Sequence, residues 1–443
     1  MTVFEIGAFL IGLSALFGYI NHRFVRAPHT IGLVLIALAA SLTVIAIDSL
    51  VPASDADVLI TGVLEQIDFH EALMHGMLSF LMFAGALHVD LSVLRSRYRA
   101  IAMMATVGTA ISACIIAGGV WLVFGLLGIP MPFIWALVFG ALISPTDPVA
   151  VMGLFRTLDV PRTLEAKMAG ESLFNDGVGV VVFTVVVGIA AGSAAEGGGF
   201  SYPALMGLFA VEVFGGAALG LLAGYAGYRA MHHIDEHGLE VLITLAVVMV
   251  TYAVAIRLHM SGPIAMVIAG LFIGNQGMRY AVSERTRDYL QKFWSLLDEI
   301  LNSVLFLLIG LEVLIIVRAG FGFWVCVAII PITLLGRWFS VYLPITLLGR
   351  WETFTRGAVP ILTWGGLRGG IAVALALSLP ANEYRPAILS ITYATVLFSI
   401  VVQGLTVGRL VARVVPGGLD AEDRARAWPP RARPPLRFGF DGS

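Results

Sequence analysis

Residues 133–151 of the chain read FIWALVFGALISPTDPVAV, an apolar run that is interrupted by Pro145-Thr146-Asp147-Pro148. Each proline removes a backbone N–H and clashes with the preceding turn, so an unbroken helix cannot pass through this tetrapeptide. A helix that stops inside a membrane leaves carbonyl and N–H groups without partners, which is tolerated where those groups line a cavity or a binding site. Free carbonyls, the Thr146 hydroxyl and the Asp147 carboxylate are hard oxygen ligands that suit an alkali cation. The alternative is a proline kink in which Asp147 caps a helix end.

The composition of the whole chain indicates a polytopic membrane protein. Of its 443 residues, 58% are hydrophobic and only 13% are charged, and the mean hydropathy is +0.92. A soluble protein carries about 25% charged residues. This balance excludes disordered, collagen-like, coiled-coil and nucleic-acid-binding proteins. The sequence has two cysteines and no nucleotide-binding loop or HExxH helix, so we expect no cofactor, no zinc proteolysis and no ATP-driven pumping.

Thirteen stretches are long and apolar enough to cross a bilayer as helices, which takes about 20 residues each. Numbered as spans 1 to 13 in chain order, they lie at residues 3–21, 28–47, 69–89, 100–127, 130–155, 166–191, 202–230, 238–258, 263–280, 292–317, 321–346, 357–380 and 386–410. The sequence therefore predicts an all-α transmembrane domain over residues 1–412, followed by a short, basic, proline-rich tail over residues 413–443.

The basic residues predict the orientation of these spans. Most of the 27 basic residues fall in the odd-numbered loops and in the tail, whereas the other side holds only Arg257, Arg318 and Arg385. Basic residues accumulate on the cytoplasmic side of a membrane. We therefore expect the N-terminus outside and the C-terminus in the cytoplasm.

Span 6 contains the sequence GESLFNDG at residues 170–177. Ser172 and Asp176 are four residues apart and share one helix face, and Glu171 and Asn175 share the neighbouring face. Asp176 lies halfway through the span, where a carboxylate can be neutralised by a proton or by a cation but hardly by both at once. That competition predicts proton/cation exchange; the alternative is a structural acid that pairs with a buried arginine.

Span 12 contains WGGLRGG at residues 364–370, whose glycines permit a broken helix or very close packing. Arg368 needs a carboxylate at this depth, and Glu171 is the predicted partner. Arg368 could also stabilise a helix C-terminus, a role compatible with the pair.

The two disrupted spans, 5 and 12, are seven apart in order and therefore run in opposite directions. This pattern indicates a secondary transporter built from inverted repeats, here spans 1–6 and 8–13 with span 7 as the connector. An eight-residue repeat, PITLLGRW, at residues 331–338 and 344–351 is too local to be architectural.

Several motifs in order resemble the bacterial NhaP-type sodium/proton antiporters of the cation/proton antiporter-1 family. They are SPTDPVAV, GESLFNDG, SGPIAMVIAGLFIGN, ILNSVLFLLIGLE and WGGLRGGIAVALALSLP, and the resemblance runs over roughly spans 3 to 13. It implies a homodimer, with spans 1–3 and 8–10 forming a dimerisation part. The low cysteine content, the excess of arginine over lysine and the compact tail fit a prokaryotic plasma membrane. Spans 4–6 and 11–13 would form an ion-translocating core with crossed, interrupted helices.

The resemblance also implies roles for individual residues. Asp176 would bind the sodium ion or the proton, with Asp147, Thr146 and Ser172 as further sodium ligands and Asn175 as another member of the ion-binding site. Asn175 stands where electrogenic relatives have a second Asp, which implies electroneutral, one-for-one exchange. Glu171 and Arg368 carry over as the stabilising ion pair.

One position departs from the family pattern. Ala84, in span 3, stands where many relatives have a glutamate, so this position supplies no carboxylate to the site. The leading prediction is a sodium (or lithium)/proton antiporter. Potassium/proton exchange is an alternative because oxygen ligands alone do not fix the ion, and a passive cation channel is an alternative of another class.

Overall fold

The structure is a computed structural model, and the parts of the chain that it describes are mostly helical. These parts are residues 2–50, 76–149, 151–152, 155, 160, 162–192, 207, 209–312, 322–349, 354 and 357–414. The beginning of predicted span 3 and almost all of the tail lie outside them.

Each of the thirteen predicted spans contains helix, which confirms the all-α prediction. Among the described residues nine helices are long and apolar enough to cross a membrane: Phe4–Val25, His29–Ile47, Tyr98–Leu126, Leu164–Ala190, Val211–Met231, His237–Arg257, Glu284–Leu311, Trp324–Leu348 and Arg385–Val414. They correspond to spans 1, 2, 4, 6, 7, 8, 10, 11 and 13. The remaining spans contain shorter helices: Leu78–Leu87 in span 3, Phe133–Ile143 in span 5, Gly262–Phe272 in span 9, and Ala358–Gly365 and Gly370–Leu377 in span 12.

Span 10 begins eight residues before its predicted start at 292. Its helix begins at Glu284, where the Ser283 hydroxyl accepts a hydrogen bond from the Thr286 N–H and so caps the helix. These first turns are amphipathic and carry charged residues, so a search for apolar stretches does not include them.

Spans 5 and 12 are both interrupted, and they meet at their breaks. The helix of span 5 ends at Ile143, just before Pro145, and span 12 is broken between Gly365 and Gly370. In the gap, the Asp147 N–H donates to the Leu367 carbonyl at 2.8 Å, which makes an isolated antiparallel bridge between the two spans. Backbone groups that lack helical partners at one break therefore find hydrogen-bond partners in the backbone of the other break.

The packing of spans follows the predicted repeat. Span 2 packs on span 10, and span 9 packs on span 3, as expected if spans 2 and 9, and 3 and 10, correspond. Both contacts use a glycine: a Cβ on Gly310 would lie 2.5 Å from that of Ala37, and one on Gly270 would lie 2.7 Å from the Phe83 carbonyl. Small residues let membrane helices approach this closely.

Candidate functional site

Span 6 supplies the side chains that hold the broken part of span 5. Its helix is continuous from Arg162 to Ala190, so Ser172 and Asn175 project from one side. The Ser172 hydroxyl donates to the Thr146 carbonyl, and the Asn175 amide donates to the Thr146 hydroxyl at 3.0 Å. All three side chains are buried. The structure therefore brings these predicted site residues together.

Asp147 lies where the chain resumes helical form after the break. Its Oδ1 accepts a hydrogen bond from the Val149 N–H at 2.9 Å, as expected for a helix cap. Its Oδ2 lies against Gly369, where a Cβ would come within 2.6 Å of the Asp147 Cβ. The half-buried carboxylate therefore caps a helix with one oxygen and projects the other towards the break in span 12.

Asp176 is one turn along span 6 from Ser172 and is only 5% exposed. Among the described residues it forms no ion pair. It follows Asn175, whose amide donates to the Thr146 hydroxyl, so Asp176 lies on the part of span 6 that contacts the residue before Asp147. Two neighbouring carboxylates, a carbonyl and a hydroxyl give a hard-oxygen environment that a small cation would stabilise. The described residues hold no group of three or more His, Cys, Asp or Glu side chains that could bind a metal ion, so such a site rests on these mixed oxygens.

The predicted pair of Glu171 with Arg368 is wrong. Glu171 is paired with Arg337 of span 11 instead: Nη1 donates to Oε1, and Nη2 donates to Oε2 at 3.1 Å. The guanidinium also donates to the Leu362 carbonyl, at 3.1 Å from Nε and 2.9 Å from Nη2. Both carboxylate oxygens are thus engaged by Arg337, and among the described residues Glu171 forms no hydrogen bond or ion pair with Arg368.

Arg368 stabilises the C-terminus of a helix, which is the second role that the sequence predicts for it. Its Nη1 lies 2.8 Å from the Pro145 carbonyl and also donates to the Ser144 carbonyl, which the end of span 5 leaves without helical partners. Its own N–H donates to the Ser399 hydroxyl of span 13 at 2.8 Å. Arg368 therefore places a cation at a helix C-terminus, where the helix dipole favours it.

Arg337, the partner of Glu171, is a buried residue next to the site that sequence reasoning missed. It lies in the first copy of PITLLGRW, inside the 26-residue helix Phe323–Leu348, and is 3% exposed. An arginine this far inside an apolar helix needs an acidic partner, and that signal was present in the sequence.

With this geometry established, similarity to known proteins identifies the family. The sequence pattern described as "Sodium/hydrogen exchanger, transmembrane" matches residues 12–413. The chain belongs to this sodium/hydrogen exchanger family. It is 45% identical over 420 residues to the Na(+)/H(+) antiporter NhaP of Pseudomonas aeruginosa, covering 93% of this chain and 97% of that one. It is 33% identical over 398 residues to the Na(+)/H(+) antiporter NhaH of Halobacillus dabanensis, covering 88% and 93%.

A solved structure supports the fold of this family member. The sodium proton antiporter MjNhaP1 from Methanocaldococcus jannaschii superposes with a TM-score of 0.69, covering 94% of this chain and 99% of that one, at 20% sequence identity. The likeness confirms a multi-pass, all-helical antiporter fold.

Proposed function

We propose that the chain exchanges sodium, or lithium, for protons, and that the two compete for Asp176. The observation that carries this proposal is the contact of Ser172 and Asn175, which lie within one turn of Asp176 on span 6, with Thr146, the residue before Asp147 at the bridge between the two interrupted spans. Two neighbouring carboxylates cannot both stay charged without a counter-charge. A cation or a proton would provide that charge, and binding one disfavours the other.

In this mechanism Asp176 loses its proton before the cation enters. Asp147 Oδ2, the Thr146 carbonyl and the Ser172 hydroxyl then complete the cation's oxygen shell. Protonation of Asp176 removes one negative charge from the shell and releases the ion. This cycle moves one cation for one proton.

Asn175 fits electroneutral exchange. It occupies a position next to Asp176 but carries no charge, and its amide is engaged with Thr146. We infer that it orients the Thr146 backbone and does not bind a second proton.

We also propose the larger assembly that the family resemblance implies. Within residues 1–412, spans 4–6 and 11–13 contact one another extensively, as do spans 1–3 and 8–10, and fewer contacts join the two groups. This division supports a moving core and a dimerisation part, hence a homodimer. The basic loops favour a plasma-membrane protein with its N-terminus outside and the 413–443 tail in the cytoplasm.

The test measures proton movement in everted vesicles with a pH-sensitive dye while sodium, lithium or potassium is added. Asp176→Asn removes the titrating group at nearly constant volume, so exchange should vanish while the protein still inserts. Asp288→Asn, at an exposed pair with Lys292, is the matched control and should exchange normally.

Full exchange by Asp176→Asn would overturn the mechanism. A response to potassium alone would favour potassium/proton exchange. Cation flux without coupled proton movement would favour a passive channel.

A further inference from the structure

We propose that the cleft between spans 1 and 2 binds the phosphate-bearing headgroup of an anionic phospholipid, in the leaflet that borders the basic loops. The cleft has a volume of about 630 Å³ and is formed by the end of span 1, the connecting residues and the start of span 2. Four of its lining side chains, those of His22, Arg23, Arg26 and His29, are basic, and no acidic residue is among the described residues that line it.

The two arginines of this cleft are available to a ligand. Both are exposed, and in the described part of the chain neither forms an ion pair with a carboxylate. The Arg23 guanidinium lies 5.7 Å from the ring centroid of its neighbour Phe24. A guanidinium presents its donors in a planar fork that matches phosphate oxygens, and basic groups at a membrane surface attract anionic lipids.

The backbone of the cleft is fixed by a buried side chain. Span 1 ends in a wider helical turn, Asn21–Val25, after which Arg26 adopts a left-handed conformation with φ 55°. Asn21, 4% exposed, holds that turn from inside: its amide donates to the Ala27 carbonyl at 3.0 Å, and its Oδ1 accepts from the Ala27 N–H at 3.2 Å.

Gly32 of span 2 lets the two spans close around this asparagine, because a Cβ there would collide with its carboxamide. A non-glycine residue in a left-handed conformation persists only where its surroundings impose it, and such positions concentrate at binding sites. The backbone that carries the two arginines is therefore fixed before any ligand arrives.

Apolar side chains beside the cleft distinguish a lipid from a free phosphate. Leu16 and Tyr19 of span 1 are 52% and 65% exposed, and Phe24 is 72% exposed. A phospholipid matches both features, since its headgroup fits the basic cleft and its acyl chains cover the apolar side chains. Inorganic phosphate would use the cleft alone.

The test compares the thermal unfolding of the full-length protein in detergent after addition of phosphatidylglycerol, phosphatidylcholine or inorganic phosphate at matched ionic strength. Phosphatidylglycerol should raise the melting temperature of the unaltered protein, and the other two should not. Arg23→Gln combined with Arg26→Gln should weaken phosphatidylglycerol binding by about tenfold or more. Arg95→Gln with Arg279→Gln removes the same charge from other basic loops and should leave binding unchanged.

Arg26→Gly separates lipid binding from folding. Glycine adopts the left-handed conformation without strain, so the lipid-free melting temperature should stay equal or rise while the shift caused by phosphatidylglycerol shrinks. An undiminished shift in this variant and in the Arg23, Arg26 double variant would overturn the proposal. Equal stabilisation by phosphatidylcholine, or by inorganic phosphate alone, would also overturn it.

Discussion

Two arginines are buried in the part of the membrane domain that the structure describes, and each is stabilised in a different way. Arg337 meets a carboxylate, Glu171, through both of its terminal nitrogens, so its charge is cancelled where it lies. Among the described residues, the Arg368 guanidinium donates only to backbone carbonyls, those of Ser144 and Pro145. A dipole stabilises a charge without cancelling it. Arg337 therefore belongs to the scaffold, whereas Arg368 places its charge at the broken end of span 5, on the carbonyls that precede Thr146.

Removing one partner of the ion pair between Glu171 and Arg337 should have the largest effect on the stability of the fold. Arg337→Ala leaves Glu171 charged and buried, which costs about 3–5 kcal/mol of the free energy of unfolding. Thermal unfolding of the purified protein should show a large drop in melting temperature.

A double variant controls for the loss of packing. Glu171→Leu with Arg337→Met removes both charges at similar volume and should recover most of the stability. If Arg337→Ala alone melts like the unaltered protein, the scaffold role assigned to this pair is wrong.

Arg368→Ala should affect exchange more than stability, which would distinguish the role of Arg368 from that of Arg337. It leaves two buried carbonyls without a donor, at about 1–3 kcal/mol for a buried group, so stability should fall less than in Arg337→Ala. Exchange should be lost, because those carbonyls immediately precede Thr146 and Asp147. Dye-based exchange and thermal unfolding on one preparation test both points. A stability loss larger than that of Arg337→Ala would reverse the comparison.

The smallest effects should come from two glycines that face these groups. A Cβ on Gly369 would come within 2.6 Å of the Asp147 Cβ, and one on Gly366 within 2.8 Å of the Arg337 Cζ. Gly369→Ala should therefore weaken cation affinity in the exchange assay, whereas Gly366→Ala should mainly lower the melting temperature. Gly118→Ala, which meets open space, is the control. Identical behaviour of the first two variants would mean that the site and the scaffold are not separable here.

Much of this arrangement could be predicted from the sequence because it is local. The prolines around Thr146 predict the break in span 5 from the properties of proline alone. The spacing of Ser172, Asn175 and Asp176 places them on adjoining faces of one helix, and the structure brings the first two to Thr146. The Asp147 cap, offered as an alternative to a cation ligand, proves compatible with it because the carboxylate has two oxygens.

The pairing of the buried charges could not be predicted in the same way. One acid, Glu171, was available to two buried arginines, and either choice satisfies the rule that a buried charge needs a partner. The choice depends on how span 11 lies against spans 6 and 12, which no local pattern contains. The sequence feature that pointed to Arg337 was its position deep inside an apolar helix, where an arginine needs an acidic partner.

The contact between the two breaks has a consequence for biosynthesis. Ser144 and Arg368 are 224 positions apart in the chain, so the carbonyls of span 5 gain their donor only after span 12 has been made. Until then the nascent chain holds an unfinished helix end in or near the membrane, where bare carbonyls are costly. We therefore expect chains truncated after span 11 to be recognised as incomplete by cellular quality control, even though most of their helices are already in place.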